Sequence, residues 1–288
     1  QVAGNERLAD AMMRLLPDDV SSVADDIVQP EQMQNAMQDL NVSGLNQNIA
    51  NAVNHNNTSA TAGSITSNVS MSSVKAYIAD GAKIDSDGSL NINAISNDNM
   101  INAAAVVAAN GKTGRGASII AALTKNTVEA YIGNAIVDVG SNIVINAKEN
   151  HSLIAGSAGI AQANDSTGAG NVSIDIQKNL VTAAIKQGAK VNTNKYKENQ
   201  NVSVIAEMVS KIIKGIGALA LQSGGNAGAS GGAIGATIDG DIAINTINAY
   251  IESAEVNAAN NIKVSADSKT NLISVDVAGA VSGQKGAY

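Results

Sequence analysis

One short alternating motif returns four times along this chain, and that return limits the folds open to it more than any single residue does. It reads Val74-Lys75-Ala76-Tyr77-Ile78, Val128-Glu129-Ala130-Tyr131-Ile132, Val181-Thr182-Ala183-Ala184-Ile185 and Ile247-Asn248-Ala249-Tyr250-Ile251. The copies start 54, 53 and 66 residues apart (128 − 74, 181 − 128, 247 − 181). A period of this size marks units that cannot bury an apolar face alone and must stack on their neighbours.

Within each unit the motif alternates with period two, so Val, Ala and Ile point one way and the residues between them the other. A second segment follows a turn: Ala82-Lys83-Ile84, Ala135-Ile136-Val137, Ala189-Lys190-Val191 and Ala254-Glu255-Val256. A third begins at Leu90, Ile143, Val202 and Ile262, and a Gly- and Ala-rich run begins at Ile101, Leu153, Ile212 and Leu272. Turn chemistry at Asn110-Gly111-Lys112 and Asn164-Asp165-Ser166 then leads into the next copy.

Strands of about three to five residues, with turns and no helical crossovers, predict an all-β chain built as a β-solenoid. On that reading a unit holds about two coils, and residues 62–288 form about nine to eleven coils along a rod of roughly 45–55 Å. A β-sandwich is the alternative, but it wants longer strands and more rings in its core.

Composition agrees with a slim interior. Hydrophobic residues reach 44%, yet there is no Phe, Trp or Cys, so Ala, Val, Ile and Leu must fill the core. Only 2 Pro accompany 27 Gly, which suits central strands joined by tight turns. The absent cysteine excludes disulfides and thiol chemistry. Asn, Ser and Thr are expected to form side-chain ladders along the rod.

The net charge of −7 is uneven: residues 1–40 carry eight acids against Arg7 and Arg14, or −6. An acidic chain nearly without rings lacks the basic stripe and stacking platforms of a nucleic-acid binder. Residues 1–45 show helical spacing, with short helices expected near 5–16, 18–28 and 31–40. This acidic α-helical segment would cap the open end of the rod or serve a partner, and an Asn-rich connector over 46–61 joins it to the repeats. The apolar stretches are too short to span a bilayer as helices, so no transmembrane segment is expected. The missing leader suggests an interior or processed piece of a larger protein.

Chemistry-bearing constellations are sparse. His55 and His151 read as solvated turn histidines without ligand partners, and no metal site is expected. Gly111-Lys112-Thr113 lacks the upstream glycine of a phosphate loop, because position 106 is Val106. Gly215-Ile216-Gly217 has no βαβ setting for a dinucleotide. Asp85, Asp87, Asp175, Asp239 and Asp241 are candidates for acid–base work on sugars, but turn-forming Asp explains them too. The Gly-rich run from Gly224 to Gly232 and on to Asp241 lengthens the third unit, and it carries a weak calcium option in a chain that otherwise implies no cofactor. What remains is an outward strip of Tyr77, Tyr131 and Tyr250, flanked by Lys75 and Glu129. These five residues are the candidate binding residues, although the rings could instead cover one another.

The Val-x-Ala-Tyr-Ile and Ala-x-Val segments, with Ile143-Val144-Ile145-Asn146-Ala147 and the Ala/Gly runs, resemble the repeat regions of fusobacterial leukotoxin-type adhesins, related in style to filamentous haemagglutinin. The resemblance covers residues 60–288. It implies a right-handed parallel β-helix, two-partner secretion through an outer-membrane pore, a secreted or cell-surface location, and contact with a host-cell protein or glycan. The expected function is thus a non-enzymatic shaft and contact segment of an adhesin or leukotoxin. A membrane-active cytotoxin fragment is one alternative, and a polysaccharide lyase or hydrolase the other.

Overall fold

The computed structural model describes residues 59–109, 111–194, 200–223 and 232–283 of the chain. Every regular element among them is a β-strand, and every strand pair is parallel. The chain runs through three sheets in the same order four times. The first circuit comprises β1 (Ser59–Ile78), β2 (Lys83–Ser86) and β3 (Leu90–Ala108), and the second β4 (Thr113–Ile132), β5 (Ile136–Val139) and β6 (Ile143–Ala163). The third comprises β7 (Ser166–Gln177), β8 (Leu180–Ile185), β9 (Lys190–Val191) and β10 (Asn201–Gln222). The fourth comprises β11 (Ala233–Ala243), β12 (Thr246–Ile251), β13 (Glu255–Val256) and β14 (Asn261–Ser282).

Sheet A stacks β1, β4, then β7 with β8, then β11 with β12. Sheet B stacks β2, β5, β9 and β13, and sheet C stacks β3, β6, β10 and β14. Each strand therefore pairs with its own copy one unit away, as in Val74↔Val128↔Val181↔Ile247. This corrects the expected count of two coils per unit. One unit makes one circuit, and the described residues make four layers in place of nine to eleven, so they rise only about 15–20 Å at the spacing of paired strands.

Strand length departs from expectation for the same reason. β3, β6, β10 and β14 span 19, 21, 22 and 22 residues because the third segment and the Gly/Ala run form one continuous strand. The extra residues of the third unit fall in two places. Between layers two and three, sheet C pairing steps by 202 − 143 = 59 residues, so part of the excess lies between β9 and β10. From sheet C to the next strand of sheet A the register spans 167 − 143 = 24 residues after β6 but 233 − 202 = 31 after β10, which puts the rest between β10 and β11.

Sheets A and C face each other and diverge toward sheet B. The main core fills that wide end with columns of like residues: Ala76, Ala130, Ala183 and Ala249, and beside them Ile78, Ile132, Ile185 and Ile251. At the far end the sheets approach so closely that Ala60, Ala108, Ala161, Ala169, Ala218, Ala220 and Ala233 suffice. A Cβ on Gly116 would lie 3.0 Å from the Ile160 carbonyl oxygen, and one on Gly235 only 2.4 Å from that of Gly279.

In three of the four layers the corner entering sheet B uses a left-handed residue: Gly81 (φ 77°), Gly188 (φ 83°) and, in the last layer, Ser253 (φ 46°). The expected ladders are present: Asn142, Asn201 and Asn261 form one at the corner into sheet C, where Asn201 Nδ2 donates to Asn142 Oδ1 at 2.9 Å. The helical reading of residues 1–45, the connector and His55 lie outside the described residues, although sheet A already begins at Ser59.

Candidate functional site

Alternation in sheet A projects every second residue outward, and the register aligns the outward tyrosines in one column: Tyr77, Tyr131, Ala184, Tyr250. The Tyr77 and Tyr131 rings stack, with centroids 5.1 Å apart and planes at 12°. Lys186 Nζ lies 3.4 Å from the centroid of Tyr131, giving that ring a cation on one face. Ala184, which interrupts the column, is fully buried. Lys75 and Glu129 are adjacent in the next outward column and pair at 2.5 Å, and the Glu129 carboxylate raises the Lys75 pKa through their hydrogen bond and its charge. The five candidate binding residues thus share one wall, and four of them are already engaged with one another or with Lys186. Tyr77 keeps about half its surface free, at 55% exposure.

A larger outward feature lies on sheet C. Ile101, Ile154, Ile213 and Ile273 form one column across all four layers. Val107, Ile160, Leu219 and Gly279 form another, and Ala103, Gly156, Gly215, Val275, Ala105, Ala158, Gly217 and Val277 fill the space between. Exposure reaches 74% at Ile101 and, in the inner layers, 47% at Ile154 and 37% at Leu219. The field covers roughly 500 Å², at about 3.3 Å per residue and about 4.8 Å per strand. Soluble surfaces seldom carry a larger continuous apolar patch without a use for it. The Gly/Ala composition pointed to these segments, but only the register shows that their Ile and Val residues line up outside.

Polar residues gather instead between the sheets in knots, two of which carry acids. In the first, Asn126 Nδ2 donates to Glu149 Oε1 at 2.7 Å and to Asp98 Oδ2 at 3.2 Å, while Ser72 Oγ donates to Asn126 Oδ1 at 2.8 Å. His151 Nδ1 lies 3.3 Å from Asp98 Oδ2. His151 is buried in β6, which corrects the reading of a solvated turn histidine: it belongs to the inward phase of a strand, paired with Asp98 and Ser210 in the layers on either side. Burial raises the Glu149 pKa, and hydrogen bonds from Asn126 and Ser96 offset only part of that. Glu149 Oε2 and His151 Nε2 have no hydrogen-bond partner among the described residues.

The second knot joins layers three and four. Gln177 Nε2 donates to Asp175 Oδ2 at 2.9 Å, and Ser210 Oγ to Gln177 Oε1 at 3.2 Å. Lys214, almost fully buried, reaches across from sheet C to Asp239 Oδ1 at 3.0 Å and to Asp241 Oδ1. Ser274 Oγ donates to Asp239 Oδ2 at 2.6 Å. Burial raises the Asp175 pKa; burial works the same way on Asp239, but Ser274 and Lys214 outweigh it and hold that carboxyl below its ordinary value. Asp175, Asp239 and Asp241 are therefore neither turn residues nor an outward face for sugars. They point inward from β7 and β11, where Asp239 and Asp241 pair with Lys214 and Asp175 accepts from Gln177.

Asp239 and Asp241, the acids beside the Gly-rich run considered for calcium, are thus bound to Lys214. Among the described residues no group of three His, Asp or Glu is placed to hold a metal ion, and no helix is long and apolar enough to cross a membrane. Comparison with known proteins adds no relative: no family, no curated protein and no solved structure matches this chain.

Proposed function

We propose that the stacked layers are a stretch of right-handed β-solenoid within a large secreted bacterial adhesin or leukotoxin, a non-enzymatic shaft that meets host cells or matrix through its side walls. The observation that carries this reading is the outward apolar field of sheet C, where Ile101, Ile154, Ile213 and Ile273 present the same group once per layer. A shaft offering one chemistry at fixed spacing adds weak contacts into firm attachment. Aliphatic rows without ring platforms favour an apolar protein surface over a glycan. The tyrosine column on sheet A is a second, smaller contact.

Membrane insertion has less support. The Lys75–Glu129 and Lys148–Glu207 ion pairs stand on the outer walls, where a lipid-facing surface would carry none. Catalysis on acidic sugars has less support as well, since three of its candidate carboxylates face inward. Secretion through a partner pore rests on the sequence resemblance alone.

A binding panel of host cells, matrix proteins and glycans tests the reading. Wild type is expected to bind a cell or matrix protein, a paired Ile154→Lys, Ile273→Lys variant to lose that binding, and a Tyr77→Ser, Tyr131→Ser, Tyr250→Ser variant to lose less. Absence of binding to any cell or matrix protein, release of dye from liposomes, or cleavage of an acidic glycan would each sink it.

A further inference from the structure

The second interior knot puts a buried amine against two carboxyls, with the Asp239 side chain 9% and the Asp241 side chain 21% exposed. Lys214 has a side chain only 1% exposed, and it stands on β10 of the third layer. Its Nζ touches the carboxylates of Asp239 and Asp241, both on β11 of the fourth layer in the opposite sheet. Asp175 is the register partner of Asp241 in the layer below, so the two carboxyls are neighbours in one inward column. Its Oδ2 accepts from Gln177, but its Oδ1 is buried without a hydrogen-bond partner among the described residues. Asp239 is fixed by Ser274 and Lys214 together.

We propose that Lys214 and Asp241 condense to an intramolecular isopeptide bond that staples sheet C to sheet A, with Asp175 as the proton carrier. One proton passed across the Lys214–Asp241 contact turns the ion pair into a neutral amine and a neutral acid. Those forms are a nucleophile and an electrophile. Held in contact, they behave as if at an effective concentration of about 10⁵ M or more.

The balance closes without any co-reactant. The Lys214 ammonium passes one proton to the Asp241 carboxylate. Nζ then attacks Cγ, the Asp175 carboxyl gives its proton to the departing hydroxyl, and the Asp175 carboxylate takes a second proton from Nζ. A C–N bond forms, a C–O bond breaks and one water leaves. Asp175 ends as it began. Asp239 takes no part in bond making; it anchors the amine, and its held charge makes it a poor acceptor.

The bond would join residues 27 apart in sequence, Lys214 and Asp241, across the lengthened connection between β10 and β11. That connection is one of the two places where the four-layer stack departs from its regular step. The inference stands independently of the adhesin reading, because it concerns the interior alone.

Intact mass spectrometry of the purified 288-residue chain tests it directly. The expected mass is one water below the sequence mass, and a proteolytic digest should yield a branched peptide joining Lys214 to Asp241. Lys214→Met and Asp241→Ala should return to their full sequence masses; Asp241→Asn is avoided because an amide could condense with loss of ammonia. Asp175→Asn, folded by circular dichroism, should gain the bond at least tenfold more slowly.

A wild-type mass equal to the sequence mass overturns the proposal. So does water loss that persists in Lys214→Met, which would mark a succinimide at Asp239-Gly240 instead. A branch mapped to another carboxyl, or an Asp175→Asn chain that closes at the wild-type pace, refutes the assigned roles.

Discussion

The wide end of the cross-section beside sheet B and the narrow slot between sheets A and C are made by the same strands, yet they hold the layers together differently. At the wide end each position repeats its own chemistry: Val74, Val128, Val181 and Ile247 lie in one column, and Leu90, Ile143, Val202 and Ile262 in another. Any layer there could follow any other. In the slot one inward column holds Ser96, Glu149, Met208 and Ser268, and its neighbour Asp98, His151, Ser210 and Thr270. There the layers are individual. Uniform columns supply generic burial, whereas the slot supplies pairings that only one order of layers satisfies. We read the first as the source of stability and the second as the source of register.

Substitutions at the two ends sharpen that division. The largest effect is expected at Ile145, fully buried in the wide end between Ile92 and Val204. Ile145→Ala should lose about 2–5 kcal/mol in chemical denaturation, because layers above and below prevent collapse of the cavity. Next comes the slot, where Gly116→Val would press a side chain against the Ile160 carbonyl and Val106. Overpacking of this kind costs about 1–3 kcal/mol and should show as a lower urea midpoint. If Gly116→Val were instead neutral, the sheets would not be in close contact and the slot would be looser than described.

The smallest effect is one of pH. The folded state raises the Glu149 pKa above its ordinary value of 4.5, so the folded chain binds the proton more tightly than the unfolded one. Its contribution is complete below that value and is lost as pH rises toward the folded pKa. Glu149→Gln should therefore gain stability at neutral pH relative to wild type, and the advantage should shrink in acid. A constant difference across the pH range, measured as melting temperature, would show that burial of this carboxyl carries no penalty.

The wide end was legible in the sequence because like residues fall on like at every layer, and the short motifs named both the all-β class and the inward phase. The outward alignment of Tyr77, Tyr131 and Tyr250 followed from the same alternation. Strand length was not legible. Ser96-Asn97-Asp98-Asn99 and Lys148-Glu149-Asn150-His151 have the composition of turns, yet they run straight through β3 and β6, because inward polar groups find partners across the slot. Breaking the strands there doubled the number of coils. Asp239-Gly240-Asp241 misled in the same way. A turn signal becomes strand when a buried lysine from the opposite sheet satisfies both acids. The apolar field of sheet C escaped notice because Ala and Gly dominate each run taken alone.

In-register stacking has a further consequence for how such a chain changes over generations. Each strand rests on its own copy, so an insertion or loss of one whole circuit restores every contact at the wide end and alters only the slot. Additions smaller than a circuit must be taken up where the chain turns, as the lengthened links before and after β10 already do. Length in such a molecule is therefore inherited in whole steps, and a gene encoding it can grow by duplication without first inventing a new fold.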